Sequence, residues 1–158
     1  MKDFNVNAFK IFEDDWALAA AGVEGDYNAM TIAWGGLGTL WGRPAATVYV
    51  KKNRYTHDFM EKNDWFTVSF FPEKYRKALG YMGAHSGRDG DKAAAAGLTP
   101  VYLDNAVTFR EASVTLLCRK MYAHDFDVDA VPADVKETYY RTEPAHTMYV
   151  GEVVEILK

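Results

Sequence analysis

The chain has 158 residues, 49% of them apolar and 15% aromatic, which excludes a disordered chain and supplies one core for a single domain spanning 1–158. A net charge of −4 excludes a general nucleic-acid binder, which needs a strongly basic face. One cysteine, Cys118, excludes an internal disulfide framework and a cysteine metal site, and it fits a reducing cytosol.

The acidic start, with Asp3 and Glu13-Asp14-Asp15, contains no leader-like apolar region. The longest apolar run, near residues 16–23, is too short to span a bilayer. A soluble, cytoplasmic protein is the expectation.

In chain order, the first strands are expected over 16–23 and 28–34, the second preceded by the turn pair Gly25-Asp26. Val48 and Val50 flank Tyr49 in a third. Thr56 is positioned to N-cap a helix reaching about Lys62. Phe66, Val68 and Phe70 then alternate with Thr67 and Ser69, the pattern of a half-buried strand. Pro72 opens a helix in which Tyr75, Ala78, Leu79 and Met82 share a face, and another helix runs from Asp91 or Lys92 to Gly97. Strands follow over 106–110 and around Val114, Leu116 and Cys118, then a helix from Ala133 to Tyr140. The last strand, 147–157, places Met148, Val150, Val154 and Ile156 on one face, with a bulge at Gly151-Glu152. About seven strands without a βαβ rhythm predict a mainly β protein, a β-barrel with inserted short helices.

Two polar clusters interrupt these elements. Residues 46–56, ATVYVKKNRYT, lead a strand into a cationic turn, and 85–92 read HSGRDGDK. Lys51, Lys52, Arg54, Arg88 and Lys92 can supply charge-assisted donors to a phosphate monoester, joined by the hydroxyls of Thr56 and Ser86. Neither GxxxxGK[ST] nor a GxGxxG after a strand is present, so the common nucleotide cradles are excluded. Each residue also has a plainer reading. Lys51 and Arg54 are equally solvated charges beside a turn, Thr56 a helix cap, and Lys92 the start of a surface helix. Met30, Trp34 and Trp41 are equally packing or interface residues. His57, His85, His124 and His146 lack HExxH spacing, so no metal site is expected, and the absence of a GxSxG elbow argues against a serine hydrolase.

Together, NAMTIAW at 28–34, VKKNRYTHDFMEKNDWFTVSFF at 50–71, GAHSGRDGDKAAAAGL at 83–98 and AHTMYVGEVVEI at 145–156 resemble the flavin reductase-like family of FMN-binding split barrels, including its flavoredoxin-type members. The resemblance runs from about residue 12 to 157. It implies a homodimeric split barrel with one FMN per subunit near the interface. Met30, Thr31, Ile32, Ala33 and Trp34 would lie along the isoalloxazine, as would the strand ending at Val50 and Lys51. Asn53, Arg54, Tyr55 and Thr56 would meet the phosphate, with Ser86, Gly87, Arg88 and Lys92 closing its other side. His146 is the candidate for a catalytic role, although Ala145 departs from the more polar residue that often precedes it in the family.

The implied activity is FMN-dependent oxidoreduction. NAD(P)H would be the donor, and the acceptor a protein electron-transfer partner or a flavin-dependent monooxygenase. A flavoredoxin-type electron carrier and a non-catalytic flavin-binding module are the alternatives.

Overall fold

The computed structural model describes residues 3–158. Its central element is a seven-stranded sheet in the order β2-β1-β5-β8-β9-β4-β3, with every neighbouring pair antiparallel. In sequence these are β1 (Ala17–Val23), β2 (Asp26–Ile32), β3 (Gly35–Leu40), β4 (Arg43–Lys51), β5 (Trp65–Phe70), β8 (Val114–Asp125) and β9 (His146–Leu157). A separate hairpin joins β6 (Pro100–Tyr102) to β7 (Val107–Phe109). The helices are α1 (Ala8–Glu13), α2 (Tyr55–Lys62), α3 (Arg76–Ala84), α4 (Lys92–Ala95) and α5 (Ala133–Tyr139). The mainly β architecture with short inserted helices agrees with the sequence expectation.

Alternation along the strands explains the main core. Val48 and Val50 of β4, Phe66 and Val68 of β5, and Leu116 and Cys118 of β8 all point into one cluster with Phe59 and Met60 of α2. The alanines of β1 serve two sides. Ala17, Ala19 and Ala21 face this cluster, while Leu18 and Ala20 face a second one with Leu79 and Met82 of α3 and Ala93 of α4.

Several local expectations are corrected. Thr67 and Ser69 are buried rather than solvated, because β7 covers that face of β5. The Thr67 hydroxyl donates to Val107 O at 2.6 Å, and the hydroxyls of Ser69, Thr108 and Thr115 bond one another at 2.6–3.0 Å. On β9 itself the extra residue is Val154 rather than Gly151-Glu152, and the second shift, with its extra residue Met121 on β8, abuts Gly151. The β8–β9 register shifts opposite Val154 and again at Met121, while Gly151 pairs regularly with both Ala46 and Lys120. The first shift changes which residues face inward, so Tyr149, Val153 and Ile156 enter the core and Val154 is exposed. Gly151 is required by packing instead: a Cβ there would meet the Phe66 ring at 2.6 Å.

β3 was not expected, since GGLGTL reads as a loop. It forms as the partner of β4 across a two-residue turn in which Trp41 and Gly42 both have positive φ, 52° and 71°, the dihedral pattern of a tight hairpin. α1 was likewise missed; Asn7 caps it by accepting from Phe9 N and Lys10 N. Among the described residues no helix is long and apolar enough to cross a membrane.

Candidate functional site

The sheet leaves a gap at one place. Among the described residues β2 pairs only with β1, and β3 covers β4 no further than Val48. One edge of β2 and the Tyr49–Lys51 end of β4 therefore keep backbone donors and acceptors that no strand satisfies. They line a hollow of about 190 Å³ together with His146 at the start of β9. Met30, Lys51 and Arg54 also line a second hollow of about 260 Å³, beyond which lie the start of α2 and the 85–88 segment. The two form one cleft. Neither alone reaches the ~300–1,000 Å³ usual for small-molecule sites, and together they do.

The second hollow is the polar end. Arg54 stands just before α2 in extended conformation without a side-chain cap bond. Among the described residues its guanidinium has no ion-pair partner. His57 N donates to Arg54 O, which leaves the Tyr55 and Thr56 N–H groups as first-turn donors with no intrahelical acceptor. Thr56 is not the cap that its position suggested. It lies inside α2, buried, with its hydroxyl accepting from Asn28 Nδ2 at 2.8 Å.

Gly87 packs onto the same asparagine, and a Cβ at residue 87 would come within 2.8 Å of Asn28 Cγ and 3.1 Å of the Tyr55 ring. Ser86 Oγ accepts from Arg88 N at 3.2 Å. Arg88 sits over the Tyr55 ring, 4.8 Å from its centroid, donates to Asn53 O at 3.3 Å and pairs with Asp58 at 3.5 Å. The Lys92 ammonium is buried and donates to Met82 O and His85 O, both at 3.0 Å, tying α4 to the end of α3. Burial first, and the Arg54 charge second, lower its pKa to about 8. Glu143 is the single acid in this lining among the described residues. It accepts from Asn53 Nδ2 at 3.0 Å and stands 3.8 Å from Lys51.

The first hollow is the flat, aromatic end. Thr31, Ile32, Ala33 and Trp34 form one wall and Tyr49 stands opposite. Trp34 is 42% exposed, with Tyr139 edge-on at 5.2 Å and His146 at 5.5 Å. His146 is buried, and its Nδ1 lies 2.7 Å from the Tyr140 hydroxyl. Desolvation, then the charges of Lys51 and Arg54, lower its pKa to about 4. The imidazole is therefore neutral at pH 7.

Of the residues singled out in sequence, Val50, Lys52 and Trp41 stand outside this convergence; Val50 comes closest. Its side chain is fully buried in the core, so only its backbone can reach the cleft. Lys52 turns away from the cleft into an ion pair with Asp125, whose carboxyl it holds below the usual range. Trp41 sits at the β3–β4 turn, 67% exposed and outside both hollows. His57 bonds Thr147 at 2.8 Å, and His85 stacks on Tyr81 at 3.8 Å. Among the described residues no three His, Cys, Asp or Glu side chains form a group able to hold a metal ion.

Sequence reasoning missed Asn28, Tyr49, Tyr140 and Glu143. The alternation around Tyr49 put it on the face opposite Val48 and Val50, which was the available signal for that residue. Glu143 reaches the cleft, and Tyr140 reaches His146, because the 140–145 segment folds back, and no local pattern encodes that.

The model of the flavin reductase like domain matches residues 12–157. The chain belongs to this family. Membership makes it a flavin-binding protein of oxidoreduction or electron transfer. Solved structures share the fold. Flavoredoxin from Methanosarcina acetivorans superposes with TM-score 0.73 at 23% identity, covering 100% of this chain and 76% of that one. An FMN-binding protein from Thermus thermophilus gives TM-score 0.73 at 20% identity, covering 100% and 80%. A Streptomyces globisporus NADH:FAD oxidoreductase in complex with NAD and FAD fragments gives 0.68 at 18%, covering 91% and 74%. At these identities the likeness establishes the split-barrel fold. No curated protein matches the chain.

Proposed function

We propose that this flavin reductase-like protein is an FMN-dependent oxidoreductase that takes electrons from NAD(P)H and passes them to a second acceptor. The observation that carries the reading is the two-ended cleft. At one end Arg54 and the first N–H groups of α2 offer charge-assisted and backbone donors to a phosphate monoester. At the other, unsatisfied strand edges of β2 and β4 stand opposite each other, the arrangement that a planar ring with polar edges requires.

The residues present fit FMN on that chemistry. Arg54, Tyr55, Thr56, Ser86, Gly87, Arg88 and Lys92 would surround the phosphate and ribityl end. Met30, Thr31, Ile32, Ala33, Trp34, Lys51 and the backbone of Val50 would frame the ring, with Asn53 holding the turn. Bound FMN supplies the hydride-accepting chemistry. The chain's own residues do the rest. Lys51 places positive charge beside the ring end, where it would stabilise a more anionic reduced ring. Trp34 screens the ring end from water, and His146 adds a neutral hydrogen-bonding group.

A single domain without a dinucleotide fold leaves the nicotinamide to stack on the exposed ring. The exposed Trp34 and Trp41 and the free edge of β3 support a homodimer, for which light scattering should give twice the 17.8 kDa chain mass.

Two measurements test the function. Titration by flavin fluorescence should give tighter binding of FMN than riboflavin; equal dissociation constants would sink the phosphate site. Anaerobic mixing of the FMN-loaded protein with NADH or NADPH should bleach the flavin. A yellow protein inert to both would point instead to an electron carrier reduced by a protein partner, or to a binding module.

A further inference from the structure

We propose that Tyr140 is a positioning residue for His146: its hydroxyl fixes the imidazole as the tautomer that presents Nε2–H to the ring end of the cleft, as a neutral donor to an acceptor atom on the edge of a planar heterocycle. The identity of the heterocycle rests on the flavin reading above. The tautomer rests on this chain alone.

The Tyr140 hydroxyl and His146 Nδ1 are 2.7 Å apart, and two arrangements satisfy that contact. Either the phenol donates to a bare Nδ1, or Nδ1–H donates to the phenol oxygen. The second makes the weaker acid, the imidazole N–H, the donor and sends the phenol proton to solvent, since among the described residues the hydroxyl has no partner besides His146. A phenol oxygen is also a weaker acceptor than an imidazole nitrogen, because its lone pair delocalises into the ring. Burial keeps the phenol protonated by raising its pKa. The first arrangement therefore holds, and the single proton of a neutral imidazole resides on Nε2.

Nε2 has no partner among the described residues, yet no buried side-chain nitrogen or oxygen lacks one. The atom is thus reached from the hollow that His146 lines. The groups around the imidazole are Lys51, its register partner on β4, together with Arg54, Trp34, Phe126 and Tyr140. Two of these are cations and none is an acid, so the surroundings oppose a second proton.

Tyr140 is itself held from both sides. Its N–H donates to Lys136 O at 3.0 Å at the end of α5, and three residues on Glu143 anchors the returning segment to Asn53.

The test begins with flavin-free protein carrying 15N-labelled histidine. At neutral pH, Nδ1 of His146 should resonate as a pyridine-type nitrogen and Nε2 as a pyrrole-type one, and Tyr140→Phe should mix or reverse the two. Protonated Nδ1 in the wild type, or a tautomer unchanged by Tyr140→Phe, would overturn the proposal. In FMN-saturated protein, Tyr140→Phe should slow reduction by NAD(P)H about tenfold, the scale of one hydrogen bond, with FMN affinity unchanged. His146→Gln removes the imidazole that Tyr140 orients, so whatever rate the variant retains should be indifferent to Tyr140→Phe. Sensitivity persisting in the double variant would overturn the route through His146. A protein that shows the expected tautomer but neither binds nor reduces flavin would remove the flavin reading and leave the positioning intact.

Discussion

The two ends of the cleft are assembled from different stretches of chain and by different forces. The polar end comes largely from two short segments, 53–56 and 85–92, in which charge and free backbone N–H groups arise from local sequence. The ring end has no such locality. Its walls come from β2 and the two residues that follow it, the end of β4 and the start of β9, brought together where the sheet fails to close. A cationic turn announces itself in sequence, whereas a gap in a sheet exists only once every strand has chosen its neighbours. The polar end should accordingly discriminate ligands by charge, and the ring end by shape.

The largest expected effect breaks the polar end alone. Arg54→Ala should weaken FMN binding by about 1.5–3 kcal/mol, the range for hydrogen bonds to a charged group, and leave riboflavin binding unchanged. Arg54 is exposed and has no ion-pair partner among the described residues, so its loss leaves no buried group unsatisfied and the fold should persist by circular dichroism. Equal losses for both flavins would mean that Arg54 acts on the ring end, and the division proposed here would fail.

That division also explains what was legible beforehand. Alternating Val48/Val50, Phe66/Val68/Phe70 and Leu116/Cys118 predicted strands because each set does enter one core. The same rule failed for Thr67 and Ser69, since period-two patterning cannot distinguish water from a covering β7, whose Val107 carbonyl and Thr108 hydroxyl bond them. It failed on β9 as well, where the register shift opposite Val154 moves the buried face to Val153 and Ile156. Thr56 carried the right signal for a helix start and the wrong role, because Asn28, 28 residues earlier, takes its hydroxyl. The glycines of β3 concealed a strand whose one strand partner among the described residues is β4.

A smaller effect sharpens the comparison through pH. Lys92 has its pKa lowered to about 8, and a phosphate dianion beside it would favour the charged form. Binding would then take up a proton, so FMN affinity should fall as pH rises through about 8, by about tenfold (~1.4 kcal/mol) between about pH 7 and 9. Riboflavin, lacking the phosphate, should show no such step, and Lys92→Gln should remove it. In the free protein the sign reverses. The unfolded chain holds the Lys92 proton up to its ordinary pKa of 10.5, so this group makes folding stability rise with pH from about 8 toward 10.5. A flat FMN profile in isothermal titration across this range would take Lys92 out of phosphate recognition and leave it as the tie between α4 and α3.

The smallest effect belongs to the ring end. Trp34 is 42% exposed between Tyr139 and His146, and a planar ligand entering the hollow would gain an aromatic contact there worth about 0.5–1.5 kcal/mol. Trp34→Ala should therefore weaken FMN and riboflavin equally, by that amount, because the contact concerns the ring and leaves the phosphate untouched. Since the indole is partly solvated already, the melting temperature should change little. The informative quantity is the ratio of the two dissociation constants. If it stays at the wild-type value while both rise, the ends act independently, as contributions from separate sites without shared partners should. A ratio that shifts toward unity would mean that Trp34 also orients the ligand's phosphate, which would couple the two ends through Lys51 and Arg54, the two charged residues that line both hollows.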